Sequence, residues 1–100
     1  GANIFFKDKN GEIHTPIPDS FLDGITRRTV IGLAKSKNIK VHERKISPTE
    51  LPNFIGCFLT GTAAEVTPVS QIDKFEFKVC NTIKDLSDSY QNLVRKKAAA

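Results

Sequence analysis

The most informative stretch of this sequence is residues 59–69, Leu-Thr-Gly-Thr-Ala-Ala-Glu-Val-Thr-Pro-Val. Apolar residues stand on either side of a run of small ones, so the pattern predicts a strand, a turn over 61–64 and a second strand. A turn built from small residues allows backbone N–H groups to approach a bound anion closely. The same residues also fit an ordinary strand connection, and the stretch alone leaves both interpretations open.

A second candidate anion site lies upstream, where Gly24-Ile25-Thr26 runs into a predicted helix over Thr26 to Lys37. The first N–H groups of a helix have no internal partner and carry partial positive charge, which suits a phosphate. Glycine and threonine are also common capping residues, so the spacing does not decide between the two roles. Together the two turns predict a ligand that carries a phosphate and a carboxylate.

The remaining pattern alternates strands with helices. It predicts a hairpin with strands at 3–7 and 12–15, a strand within 39–46, a short helix capped by Ser47, an edge hairpin over 69–77 and a last helix over 82–95. Gly11 and Asn38 stand where the chain is expected to need a positive φ. This order of elements predicts an α/β fold, with a mixed sheet and helices packed on it.

The composition predicts one small domain in 100 residues, with a formal net charge of +4. The lysines and arginines are mostly separated by acids, so nucleic-acid binding is not expected. No apolar run approaches the length of a membrane span and no signal peptide is evident, so we expect a cytoplasmic protein without a membrane partner. Cys57 and Cys80 lack a metal-binding or redox spacing and are expected to be idle thiols.

Other polar residues give weaker signals. His14 and His42 lie in separate strand patterns without a second histidine at ligand spacing, so no metal site is predicted. Glu65 follows the small-residue turn and is expected to be structural rather than a general base. Of the neighbouring Arg27 and Arg28, one is expected to be structural and the other solvated.

Two segments closely resemble those of the branched-chain amino acid aminotransferases, which are fold-type IV pyridoxal-phosphate enzymes. They are Phe21-Leu-Asp-Gly-Ile-Thr-Arg27 and Phe58-Leu-Thr-Gly-Thr-Ala-Ala-Glu-Val-Thr-Pro-Val69. The resemblance extends over nearly the whole chain up to the last helix. It implies that residues 1–97 form part of the C-terminal pseudo-barrel domain of such an enzyme, whereas residues 98–100 resemble a vector-derived tail.

The resemblance also implies roles for individual residues. The phosphate of the cofactor pyridoxal 5'-phosphate would be bound by Gly24, Ile25 and Thr26 at the start of the helix. The hydroxyl of Thr62 in the downstream turn would also bind this phosphate, and Leu22 would pack against the pyridine ring. The backbone N–H groups of Thr62 and Ala63 would bind the α-carboxylate of the substrate.

The implied reaction transfers the amino group of L-leucine, L-isoleucine or L-valine to 2-oxoglutarate, in a homo-oligomer. The lysine that holds the cofactor covalently lies upstream of Gly1 in this family, so we predict no catalytic residue within the chain and no activity from the chain alone. A fragment of a D-amino acid aminotransferase or of an aminodeoxychorismate lyase is an alternative, as is a non-catalytic module that binds a phosphorylated small molecule.

If the chain is such a fragment, apolar faces that would meet the rest of the enzyme should be exposed. We expect these faces to include parts of residues 4–6 and 58–59, and to cause self-association.

Overall fold

The fold is described from a computed structural model, and the description covers residues 3–17, 24–61, 65–72, 74–78 and 81–99. Within these residues, two α-helices, a short 3-10 helix and seven strands follow one another. In order they are β1 (Asn3–Asp8), β2 (Ile13–Thr15), α1 (Ile25–Ser36), β3 (Val41–Glu43), the 3-10 helix (Pro48–Asn53), β4 (Phe54–Gly61), β5 (Glu65–Pro68), β6 (Gln71–Ile72), β7 (Phe75–Glu76) and α2 (Asn81–Ala99). The predicted α/β class and the mixed sheet are confirmed.

Five of the described strands form one sheet in the order β3-β2-β1-β4-β5. β1 pairs antiparallel with both β2 and β4, and β5 pairs antiparallel with β4, whereas β2 and β3 are parallel. A parallel pair needs a crossover connection, and α1 supplies it between β2 and β3. β1 and β4 therefore lie at the centre of the sheet.

The sheet is covered on both faces, because successive side chains of a strand point to opposite sides. On one face Phe5 stacks on Phe58 at 4.8 Å between ring centroids, beneath α1 and α2. On the other face Phe6 stacks on Phe54 at 4.9 Å, beside Cys57 and Phe77. The two apolar clusters share the strands β1 and β4.

The expected exposure of residues 4–6 and 58–59 is wrong for the phenylalanines. Phe5, Phe6 and Phe58 are buried within this chain, and Ile4 and Leu59 are partly buried. The stacking across β1 and β4 covers these rings without any further polypeptide.

The predicted hairpin over 69–77 is found, but not at an edge of the main sheet. β6 and β7 pair only with each other among the described strands, and Phe77 packs against Phe6 at 6.0 Å between ring centroids. Asp73, predicted near the tip of the hairpin, lies outside the described residues.

Local signals in the sequence are confirmed by the backbone. Gly11 and Asn38 have φ angles of 85° and 63°, respectively. Ser47 and Glu50 form the predicted capping box, although the helix that follows is a 3-10 helix. α2 continues past the predicted end at 95. Among the described residues no helix is both long enough and apolar enough to cross a membrane.

Candidate anion-binding site

The start of α1 is open to an anion. Gly24 is the N-cap residue, no side chain in the described part of the chain caps the helix, and its first turn contains no acid. The side chain of Ile25 is 83% exposed, so solvent reaches this end of the helix. Helix starts are normally satisfied by a capping oxygen or a nearby carboxylate, and a bound anion would supply the same interactions.

Gly24 is not required by the backbone. Its φ of −78° and ψ of 162° belong to extended conformations that any residue adopts. A Cβ atom added there would meet nothing within 4 Å among the described atoms. The missing side chain therefore leaves space in front of the first helical N–H groups, which is what the close approach of a phosphate requires.

Thr26 and Arg27 connect the start of α1 to the rest of the domain. The Thr26 hydroxyl lies 3.3 Å from the Tyr90 hydroxyl of α2. Arg27 is 2% exposed, and its guanidinium donates to Glu43 Oε1 at 2.8 Å and to the Pro16 carbonyl at 3.3 Å. Arg27 is thus the structural arginine, and the side chain of Arg28 is exposed, as expected. Arg27 is directed at the ends of β2 and β3.

The second predicted anion turn is bounded by described residues. β4 ends at Gly61 and β5 begins at Glu65, and these two residues pair across the two strands. Thr60, just before the turn, is buried, and its hydroxyl has no hydrogen-bond partner among the described residues. The strand, turn and strand predicted over 59–69 agree with these bounds.

Three of the predicted site residues, Leu22, Thr62 and Ala63, lie outside the described residues. The other three, Gly24, Ile25 and Thr26, form the start of α1. All six assignments remain predictions.

α2 contacts both candidate elements from one face. Tyr90 reaches Thr26, and Ser87 donates to the Val66 carbonyl of β5 at 3.4 Å. Residues three apart are neighbours on a helix surface, so these two hydroxyls project from the same side of α2. The helix therefore connects the start of α1 to the strand that follows the small-residue turn.

A polar cluster that sequence analysis missed lies at the β2–β3 edge. His14 and His42 are paired across these parallel strands, and their rings stack at 4.7 Å between centroids. One ligand atom from each of Glu12, His14 and His42 lies within 4.8 Å of the others. The crossover through α1 brings together two histidines that are 28 positions apart, so only a prediction of the parallel pairing could have found them.

Hydrogen bonds account for this cluster. His14 Nε2 lies 2.7 Å from Asp8 Oδ2, and His42 Nε2 lies 2.6 Å from Glu12 Oε1. Arg44 Nε donates to His14 Nδ1 at 3.3 Å, which places a guanidinium where a metal ion would otherwise bind that nitrogen. We therefore interpret the cluster as a network that stabilises the sheet edge.

Cys57 is unsuited to nucleophilic chemistry. It is buried in β4, and burial raises the pKa of its thiol to about 12, so the reactive thiolate is scarce at neutral pH. Cys80 lies outside the described residues.

Comparison with known proteins identifies the family. The model of the class IV aminotransferases matches residues 1–72. A probable branched-chain-amino-acid aminotransferase of Rickettsia typhi is 42% identical over 98 residues, which are 94% of this chain and 34% of that protein. The chain thus spans about a third of the length of the curated relatives it matches.

Solved structures agree. The branched-chain amino acid aminotransferase of Thermobaculum terrenum, in its pyridoxal-phosphate form, matches 94% of this chain and 32% of its own, with a TM-score of 0.86 and 38% identity. The branched-chain aminotransferase of Thermoproteus uzoniensis, solved with norvaline, matches the same shares of the two chains with a TM-score of 0.85 and 36% identity. With this fold, and with a family match over most of its length, the chain belongs to the class IV aminotransferase family.

Proposed function

We propose that this chain is part of a pyridoxal-phosphate-dependent aminotransferase that transfers the amino group of L-leucine, L-isoleucine or L-valine to 2-oxoglutarate. The family match supports the reaction type. The names of the relatives support branched-chain substrates, and norvaline in one related structure is an aliphatic amino acid of similar size.

The open start of α1 is the observation that carries the proposal. Among the described residues, the start of α1 has a glycine in front, no acid in its first turn and no side-chain cap. This arrangement fits a phosphate dianion, because the donors are backbone N–H groups. We assign the phosphate to Gly24, Ile25 and Thr26, with the hydroxyl of Thr62 as a further donor and Leu22 against the ring. Pyridoxal phosphate, when bound, accepts the electrons released as the Cα–H bond of the substrate breaks.

The small-residue turn is the proposed site for the substrate carboxylate. The backbone N–H groups of Thr62 and Ala63 would orient the amino acid, and the 2-oxo acid that replaces it, by their common carboxylate. Residues 62–64 connect β4 to β5, and the residues on either side of them, Gly61 and Glu65, are paired across the two strands. This chain therefore contributes binding and orientation, while the lysine that holds the cofactor belongs to the remainder of the enzyme.

The proposal includes the setting of the site. Residues 1–97 would form the cofactor-phosphate and substrate-carboxylate part of the large domain. The enzyme would be a cytoplasmic homo-oligomer in which a neighbouring subunit completes the substrate pocket.

Transamination by the full-length protein is the test. We expect the purified protein, supplied with pyridoxal phosphate, to form glutamate from 2-oxoglutarate with each branched-chain L-amino acid. The 100-residue chain assayed alone is expected to form none. Turnover of D-alanine but not of L-leucine would favour a D-amino acid aminotransferase instead, and turnover of aminodeoxychorismate a lyase. Binding of pyridoxal phosphate without turnover of any of these substrates would favour a non-catalytic module that binds a phosphorylated small molecule.

A further inference from the structure

The contact between Thr26 and Tyr90 joins a proposed cofactor ligand to a residue that the proposed chemistry does not use. Their hydroxyl oxygens are 3.3 Å apart, and Tyr90 is half-buried against the apolar cluster under α1 and α2. The phenol ring is thus packed in place, while its hydroxyl reaches the first turn of α1. No other hydrogen bond of the Thr26 side chain is seen among the described residues.

Two hydroxyls in contact have two arrangements, because either oxygen can donate to the other. In one, Thr26 donates to Tyr90, and its hydrogen is then unavailable to a ligand. In the other, Tyr90 donates to Thr26 Oγ1, and the hydrogen of Thr26 is free to point elsewhere. A phosphate only accepts hydrogen bonds from such groups, so its presence favours the second arrangement.

We propose that Tyr90 is a positioning residue for the cofactor phosphate, and this proposal rests on the function proposed above. Its hydroxyl donates to Thr26 Oγ1, and the Thr26 hydroxyl then donates to a phosphate oxygen. A hydroxyl that accepts one hydrogen bond is polarised and donates a second more strongly. Tyr90 therefore acts on the phosphate through Thr26, without contact with the cofactor.

The bond from Ser87 to Val66 supports a positioning role for this face of α2. Ser87, three residues before Tyr90, donates to the Val66 carbonyl near the start of β5, the strand that follows the small-residue turn. One face of α2 thus bonds to both elements that flank the proposed ligands. Of Ser87 and Tyr90, only Tyr90 contacts a proposed phosphate ligand, Thr26.

The experiment compares cofactors with and without the phosphate in the full-length protein. We expect Tyr90→Phe to raise the dissociation constant of pyridoxal phosphate about three- to tenfold, the effect of one hydrogen bond between uncharged groups. The dissociation constant of pyridoxal, which lacks the phosphate, is expected to be unchanged. A merely structural role would weaken both ligands equally, and that result would overturn the proposal.

A double-mutant cycle isolates the path through Thr26. In a Thr26→Val background, Tyr90→Phe is expected to have no further effect on pyridoxal phosphate, because the hydroxyl it directs is gone. Additive effects would contradict the proposal. Ser36→Ala, which removes a hydroxyl bonded to the Leu33 carbonyl at the other end of α1, is the matched control and should leave both dissociation constants unchanged.

The outcomes separate this proposal from the proposed function. If the unmodified protein binds pyridoxal and pyridoxal phosphate equally, the phosphate site itself is wrong. If it prefers pyridoxal phosphate and Tyr90→Phe keeps that preference, only the role of Tyr90 is wrong. Tyr90→Leu also lacks the hydroxyl and keeps an apolar side chain, so it replaces Tyr90→Phe if that variant does not fold.

Discussion

At the scale of single residues, Gly24 and Gly11 are glycines for different reasons. Gly11 has a φ of 85°, which L-residues rarely adopt, so the backbone needs glycine there. Gly24 has ordinary extended angles and open space where a Cβ would stand. Gly24 therefore leaves room at the start of α1 for a ligand, which is the role proposed for it.

Substitution by alanine separates the two cases. We expect Gly24→Ala to change the free energy of unfolding by less than about 1 kcal/mol, because the gain from a stiffer unfolded chain opposes the poorer N-cap. The same variant should weaken pyridoxal phosphate binding about tenfold or more, since the methyl group blocks charge-assisted hydrogen bonds. Thermal unfolding and cofactor titration of the full-length protein measure the two effects.

Gly11→Ala is the control, and its expected pattern is the reverse. It should destabilise the fold by about 1 kcal/mol or more, because alanine is strained at this φ, and leave cofactor affinity unchanged. If Gly24→Ala instead destabilised the fold and bound the cofactor normally, Gly24 would be a structural residue.

Residue-level prediction from sequence succeeded where the signal was local. The positive φ angles of Gly11 and Asn38 follow from the preferences of those residues in turns and after helices. The stacking of His14 on His42 depends on strand pairing across a helical crossover, which no local pattern encodes. For the same reason the sequence showed Thr26 as a candidate ligand but not its contact with Tyr90, 64 positions away.

At the scale of elements, the 3-10 helix is fixed at its start by a charged network. Glu50 accepts from the Ser47 amide at 2.8 Å and from Arg44 Nη2 at 2.6 Å. The hydrogen bond from Arg44, and then that from the Ser47 amide, lower the pKa of Glu50 to about 2 from the ordinary value of 4.5. The same hydrogen bond to Glu50 raises the pKa of Arg44 above its ordinary value.

This lowered pKa predicts a dependence of stability on pH. Between about pH 4.5 and pH 2 the unfolded Glu50 binds a proton more readily than the folded one, so acid favours unfolding. The contribution of ionised Glu50 to the free energy of unfolding is fully present above the pKa of the unfolded state. It is lost as the pH falls through the pKa of the folded state. We expect the melting temperature of the unmodified protein to exceed that of Glu50→Gln at pH 6 and to approach it near pH 2.

Melting curves of both proteins across this range check the prediction, with far-UV circular dichroism at pH 6 as the control for folding. Burial opposes ionisation of Asp8, but hydrogen bonds from His14 and from backbone amides lower its pKa overall. Its protonation in acid therefore destabilises the unmodified protein and Glu50→Gln alike. The informative quantity is therefore the difference between the two melting temperatures. A difference that stays constant from pH 6 to pH 2 would contradict the role of Glu50.

The packing of elements against one another is less predictable from the sequence than their type. α1 and the capping box were found because apolar periodicity and capping residues are local signals. The sequence predicts the hairpin over 69–77 at the sheet edge, whereas β6 and β7 pair with each other and Phe77 packs on the face of the sheet. Which surface a short hairpin covers depends on distant partners, here Phe6, and its own sequence does not specify them.

At the scale of the whole molecule, both apolar clusters depend on β4. Phe58 faces the cluster under the helices, and Cys57 faces the cluster beside Phe77. β4 also pairs with β1 on one side and β5 on the other. Because every side of this strand is occupied, we expect it to open only when the whole domain unfolds.

The thiol of Cys57 reports such opening. Burial removes the side chain from solvent and raises its pKa to about 12, so alkylation in the folded state requires exposure first. We expect iodoacetamide to label Cys57 about a thousandfold or more slowly in the native protein than in the urea-unfolded protein. Peptide mass mapping distinguishes Cys57 from Cys80, and Cys80→Ser provides a background with one thiol in this chain.

The urea dependence of the labelling rate decides whether β4 opens alone. If labelling requires global unfolding, the free energy derived from the rate falls with urea at the same slope as that from circular dichroism, since the same surface is exposed. A shallower slope at low urea would show local opening of β4, and the two clusters would then not form one cooperative unit. Agreement of the slopes would establish that the strand leading into the proposed substrate turn is as stable as the domain itself, which is the rigidity that orientation of a substrate requires.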